Sequence, residues 1–243
     1  MSGHSKWATI KRKKAKVDEQ RGRIFTKLGR ELIVATRQGG PNPDANLRLR
    51  IAIEKARDNN MPTDHIQRAI AKAAGEADGS AYEEVMYEGY GPSGVAVLVE
   101  AATDNRKRTA AEMRYIFSRN GGNLGEAGCV AWLFDKQGLV VVERGTPGAD
   151  EDRITLAALE AGADDVRDEG DSFAVITDPQ AFEGVKAAFA AQGIPVAHAE
   201  LTRIPRSLVP VSGDDLATLE RLLELLDEHD DVQSVYSNHE ETS

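Results

Sequence analysis

The sequence predicts an α+β protein, in which an N-terminal three-helix domain is followed by two α/β domains. The last of these is ferredoxin-like (βαββαβ) and inserted into the middle one. Three observations lead there. Apolar residues recur at helical spacing in three short segments before residue 76, and the period changes to that of strands after Tyr82. A complete βαββαβ succession then runs from Leu139 to Ile204, leaving a hairpin, helix and strand before it that lack a closing helix and strand. The expected parts are a basic flexible arm (1–21), a helical bundle (22–77), an α/β domain (78–136 with 206–243) and the ferredoxin-like domain (137–205).

In the bundle, Phe25, Leu28, Leu32 and Ala35 line one face of a first helix that Gly39 and Gly40 stop. Arg23, Lys27, Arg30 and Arg37 fall on its opposite face. A second helix after Asp44 turns Leu49, Ile53 and Ala56 inward, and a third after Pro62 does so with Ile66, Ala69, Ile70 and Ala73. Val85–Tyr90 and Gly94–Ala102 read as a hairpin around Gly91, Pro92 and Ser93. A helix from Arg106 to Asn120 and a strand from Val130 to Phe134, with Trp132 in the core, follow. Next come a strand (Leu139–Glu143), a helix (Asp152–Ala161), two strands around Gly170, a helix (Pro179–Ala191) and a strand (Val196–Thr202). The Leu216–Leu226 helix and the Val232–Tyr236 strand supply the closing pair.

The chain carries 30 Lys+Arg against 40 Asp+Glu, a net charge of -10. That average hides a division. Residues 1–74 hold 17 cations and 7 anions, whereas the remainder holds 13 and 33. A basic end on an acidic body seeks polyanions in one orientation. The first thirty residues contain ten Lys+Arg and two Asp+Glu, with too few apolar residues up to Gly22 to order that stretch alone. Lys6, Lys11, Arg12, Lys13, Lys14, Lys16 and Arg21 of the arm, with Arg23, Lys27, Arg30 and Arg37 of the first helix, are the candidate nucleic-acid contacts. Trp7 either stacks on a base or anchors the arm. A second candidate is the run Asn105, Arg106, Lys107, Arg108 and Thr109. It places three cations at a helix start, where the dipole disfavours them; the run is either a phosphate site, which would resolve the conflict, or a solvent-exposed or acid-paired structural feature.

Signals for chemistry are weak. Gly89, Gly91 and Gly94 match a dinucleotide-site spacing, but a strand rather than a helix follows. The five histidines show no metal-ligand spacing, and Cys129 has no activating neighbour in sequence. Asp164, Asp165, Asp168, Glu169 and Asp171 flank a turn without a calcium-loop pattern, and Asp227, Glu228, Asp230 and Asp231 read as a solvated surface. No enzyme activity, cofactor, metal or disulfide is expected. One cysteine and no apolar run of the ~18–20 residues a membrane span needs indicate a cytoplasmic protein with no membrane partner.

Several motifs resemble the YebC family, which includes mitochondrial translational activators of cytochrome oxidase synthesis. They are Gly3-His4-Ser5-Lys6-Trp7, Phe25-Thr26-Lys27-Leu28, Asn59-Asn60-Met61-Pro62, Tyr87-Glu88-Gly89-Tyr90-Gly91-Pro92, Thr103-Asp104-Asn105-Arg106, Gly121-Gly122-Asn123-Leu124-Gly125 and Arg203-Ile204-Pro205. The chain departs from that pattern at Lys107, where asparagine is expected, and at Cys129, where serine is usual. The resemblance spans the whole chain and implies three domains and a role in gene expression. It implies either a DNA-binding transcriptional regulator or a translation factor that contacts ribosomal RNA and assists elongation through proline-rich stretches. A protein-interaction adaptor, using the acidic domains to hold a protein partner, is the contrasting class.

Overall fold

The computed structural model describes residues 21–75 and 82–242. They form two compact units: Trp132–Leu208, and the rest of the described chain on both sides of it. The larger unit begins with helices α1 (Arg21–Gly39), α2 (Leu47–Asp58) and α3 (Thr63–Gly75). The expected apolar stripes meet in one core of Leu28, Leu32, Ala35, Leu49, Ala52, Ala56 and Ile66. Asn46 joins two helices: its Oδ1 accepts the Leu49 amide at 3.1 Å as N-cap of α2, and its Nδ2 donates to the carbonyls of Ala35 and Gly40, both at 2.8 Å. The side chain thus satisfies groups at the end of one helix and the start of the next.

The same unit contains an antiparallel sheet of β1 (Glu83–Tyr90), β2 (Ala96–Thr103), β3 (Asn123–Leu124) and β9 (Val232–Ser237), in the order β3-β1-β2-β9. Helices α4 (Arg106–Arg119) and α7 (Gly213–Glu228) contribute Met113, Phe117, Leu219, Leu222 and Leu226 to a core with Val85, Tyr87, Val97 and Val99. That alternation leaves one face of the two long strands for both helices. The glycines of the first hairpin have steric duties. A Cβ on Gly89 would lie 2.5 Å from the Asn123 carbonyl and 2.7 Å from the Phe117 ring, and Gly94 adopts φ +74. Two short parallel strands, β8 (Val209–Val211) and β10 (His239–Glu241), complete the unit.

The smaller unit contains β4 (Phe134–Glu143), α5 (Glu151–Glu160), β5 (Asp165–Asp168), β6 (Ser172–Thr177), α6 (Phe182–Ala191) and β7 (His198–Pro205). The strand order β5-β6-β4-β7, with every neighbour antiparallel, is the ferredoxin-like arrangement. Val140, Val142, Phe173 and Val175 pack against Ile154, Ala158, Phe182, Val185 and Phe189 of the two helices.

Two expectations fail here. Val130–Phe134 is not a separate strand: Ala131–Leu133 is a 3-10 turn, and β4 runs unbroken from Phe134. Its polar stretch Asp135-Lys136-Gln137-Gly138 hides the strand in sequence, yet every residue there pairs with β7. Gly138 is needed because a Cβ would press on the Phe182 ring at 2.6 Å. Trp132, placed on a turn instead of a sheet face, is 64% exposed rather than core.

Candidate nucleic-acid interface

Lys6, Trp7, Lys11, Arg12, Lys13, Lys14 and Lys16 lie outside the described residues, as does the side chain of Arg21. The other α1 cations meet partners in the same unit, Lys27 and Arg30 largely buried and Arg23 still half-exposed. Arg23 reaches Glu228 at 3.4 Å, Lys27 bonds the Asp227 carbonyl, and Arg30 pairs with Asp231 while donating to the Asp230 carbonyl at 2.8 Å and to the Ala102 carbonyl at 3.2 Å. Successive turns of the helix carry these residues along the C-terminal end of α7 and the start of β9, fixing the bundle to the sheet. Arg37 is half-buried near the end of α1.

Asp231 is the hub of this junction. It is 2% exposed, which overturns its expected place on a solvated surface. Besides Arg30, it receives Arg108 Nη2 at 2.9 Å, the Thr109 hydroxyl at 2.7 Å and the Thr103 hydroxyl at 3.3 Å. Burial alone would raise its pKa, but the bonds from Thr109, Arg108 and Arg30 together hold the carboxyl well below the usual range. Arg108 is also 2.9 Å from Asp104, so its guanidinium pKa is pushed up by Asp231 first and Asp104 next. Acidic side chains therefore resolve the charge conflict at Arg108. Asn105 performs the local cap, accepting the Arg108 amide at 3.1 Å, while Thr109 is buried.

Glu112, His229 and Asp231 bring ligand atoms within 4.8 Å of one another. The hydrogen bonds argue against a metal there. The Asp231 amide donates to His229 Nδ1 at 3.1 Å, which leaves the proton on Nε2, 2.8 Å from Glu112 Oε2. No imidazole lone pair remains for a cation, and two guanidiniums already occupy the Asp231 carboxylate.

The outer side of α4 carries a second group of cations. Arg106, Lys107, Arg114 and Arg119 are exposed and make no ion pair among the described residues. Lys107 and Arg114 lie two turns apart on one face, and Tyr115, 62% exposed, carries the Arg119 guanidinium 5.7 Å from its ring centroid. The sequence analysis named Arg106 and Lys107 as candidates and did not name Arg114, Tyr115 or Arg119. Their signal was available, since each falls off the Thr109-Met113-Phe117 core stripe.

A second carboxylate shapes the neighbouring loop. Glu88, 4% exposed, accepts the amides of Gly128 at 2.6 Å, Val130 at 2.8 Å and Ala131 at 2.7 Å. Burial opposes the charge, but these three donors outweigh it and lower the pKa. The Cys129 thiol beside it is pushed up, by burial and then by Glu88, away from nucleophilic character. Glu88→Ala is expected to cost on the order of 3 kcal/mol, because removing the acceptor orphans the amides it serves. Amide hydrogen exchange checks this, with Gly128, Val130 and Ala131 losing protection ahead of the β1 and β2 amides.

No described helix is long and apolar enough to cross a membrane. Family models match most of the chain: the TACO1/YebC protein N-terminal domain over residues 5–76, and the TACO1/YebC second and third domain over 82–239. A probable transcriptional regulatory protein of Desulforamulus reducens is 55% identical over 241 residues, covering 99% of this chain and 100% of the relative. One of the same description from Pelotomaculum thermopropionicum is 56% identical over 240 residues, covering 99% of each. The crystal structure of a conserved hypothetical protein from Aquifex aeolicus superposes with a TM-score of 0.84 at 46% identity, over 94% of both chains. On the strength of these matches, and of the fold they share, the chain belongs to the TACO1/YebC family.

Proposed function

We propose that this protein is a non-enzymatic regulator of gene expression that works by binding nucleic acid. The observation that carries the reading is the set of exposed cations on α4, at positions 106, 107, 114 and 119, that meet no carboxylate among the described residues. On a chain of net charge -10, such a surface concentrates phosphate contact in one place. The lysines and arginines of the first twenty residues add a second source of positive charge. Arg23, Lys27, Arg30 and Arg108 have the opposite assignment, since carboxylates and carbonyls of the same unit hold them. Relatives described as probable transcriptional regulatory proteins support a regulatory role. A protein-partner reading draws on a different feature: Leu156 and Leu159 of α5 are 60% and 59% exposed in the smaller unit.

Photo-crosslinking in living cells, with sequencing of both recovered DNA and recovered RNA, tests the proposal without presupposing the polymer. Nucleic acid above background, lost in a Lys107→Glu/Arg114→Glu variant that retains the wild-type melting curve, is the expected result. Discrete promoter fragments assign transcription, and localised ribosomal RNA assigns translation. Recovery of neither polymer rejects the proposal and favours the protein-partner reading.

A further inference from the structure

Between α4 and the residue that ends α7 lies an open depression of about 460 Å³, lined by Ala111, Glu112, Tyr115, Ile116 and His229. Its floor is mostly apolar, and its volume falls within the range of small-molecule sites, roughly 300–1,000 Å³. Arg108, Glu112, Tyr115 and Arg119 follow one another at intervals of three or four residues, so along the helix the carboxylate and ring that line the groove fall between two arginines, of which Arg108 is held by Asp231 and Asp104. We infer that this groove receives one unpaired base of a single-stranded RNA. The inference rests on the nucleic-acid reading above and adds what is bound.

Four features fit an unpaired base with its phosphate. Tyr115 is 62% exposed at a helix position where nothing in the fold requires a large ring, and an exposed ring offers a stacking surface to any base. Arg119 already lies over the same ring at 5.7 Å, leaving its charge beside the groove for the phosphate attached to that base. Glu112 uses Oε2 for His229 at 2.8 Å and for the Arg108 contact at 4.0 Å, while no bond to its Oε1 is formed among the described residues. That oxygen can accept an exocyclic amino group, and the His229 bond holds it in place. Finally, three of the nearby acids, Glu228, Asp227 and Asp231, are each met by a cation of α1.

An unpaired RNA base fits better than duplex, whose bases are stacked and whose edges alone are accessible in the grooves. Loops, bulges and single strands of RNA offer bases that can be splayed onto an aromatic side chain. The base-stacking component belongs to Tyr115, and the phosphate component to Arg114 and Arg119. Substituting the two sets separates the two claims.

Fluorescence anisotropy with the full chain, using labelled oligoadenylate RNA, its DNA counterpart and an RNA duplex at one salt concentration, provides the test. Tyr115→Ala is expected to weaken oligoadenylate RNA binding by about 5- to 150-fold, the loss of one base–aromatic stack, and to leave duplex binding nearly unchanged. Tyr115→Phe keeps the ring and is expected to keep wild-type affinity. Arg114→Glu/Arg119→Glu is expected to weaken every nucleic acid. If Tyr115→Ala binds the RNA strand like wild type while the charge variant fails, the base site is wrong and the nucleic-acid reading stands. If neither variant changes binding, both fall. Equal wild-type affinity for the DNA strand, with an equal loss in Tyr115→Ala, overturns the choice of RNA.

Discussion

Asp231→Ala is expected to destabilise the larger unit by about 3–5 kcal/mol, the cost of removing one member of a buried charge pair and leaving the other uncompensated. The stranded member is Arg30, whose side chain is 15% exposed and whose charge then keeps the carbonyls of Asp230 and Ala102 and the Tyr82 ring, 5.1 Å away, but no carboxylate among its described contacts. Thr103 and Thr109 lose an acceptor in the same step. For a unit of this size the melting temperature should fall on the order of 10 °C. Arg108→Gln removes a partner that is 43% exposed and should cause a visibly smaller loss, so thermal melts of the two variants distinguish a buried hub from a surface pair.

Acid gives an independent measure of the same group. The folded pKa of Asp231 lies below its unfolded value, so the stabilisation is fully present above the unfolded carboxyl value, about 3.9, and is lost as pH falls toward the folded value. Stability curves of wild type and Asp231→Ala should therefore converge as the solution is acidified below about pH 4, and stay parallel between about pH 5 and 8. A gap that persists unchanged at low pH would assign the loss to packing rather than to the charge.

The periodic parts of this fold were legible because burial imposes them. The α1 stripe through Leu28, Leu32 and Ala35, the α4 stripe through Met113 and Phe117, and the βαββαβ succession all follow from apolar spacing that only one element type can bury. The C-terminal strand was legible by completion: the β1–β2 hairpin lacked a further strand, and β9 lies beside β2. Failures came where spacing carries no period. Two-residue β3 and three-residue β8 and β10 are too short for one, and β4 crosses a polar stretch that pairs through its backbone.

The candidate site shows the same division. The sequence drew attention to the cations at 106–108, but could not tell which of them are already satisfied. That depends on acids more than a hundred residues away: Arg30 and Arg108 meet Asp231 only after α1, α4 and β9 have been brought together. Asp231 sits in a sequence run of acids that looks like solvated surface, and only the fold buries it. That Tyr115 and Arg119 fall off the core stripe was readable in sequence, whereas the depression that Tyr115 lines with His229 is formed only by the fold.

The most direct measurement of nucleic-acid binding as the working principle is the affinity of the full chain for RNA and for DNA as a function of salt. Each phosphate contact releases condensed counterions, so log affinity falls linearly with log salt; six to ten contacts cost roughly a thousand- to a hundred-thousand-fold between about 50 and 200 mM. A steep line of that kind is expected, with the slope reduced by about one for each of Lys107, Arg114 and Arg119 changed to Gln. A flat response, or a slope unaffected by those substitutions, would contradict an electrostatic grip through α4.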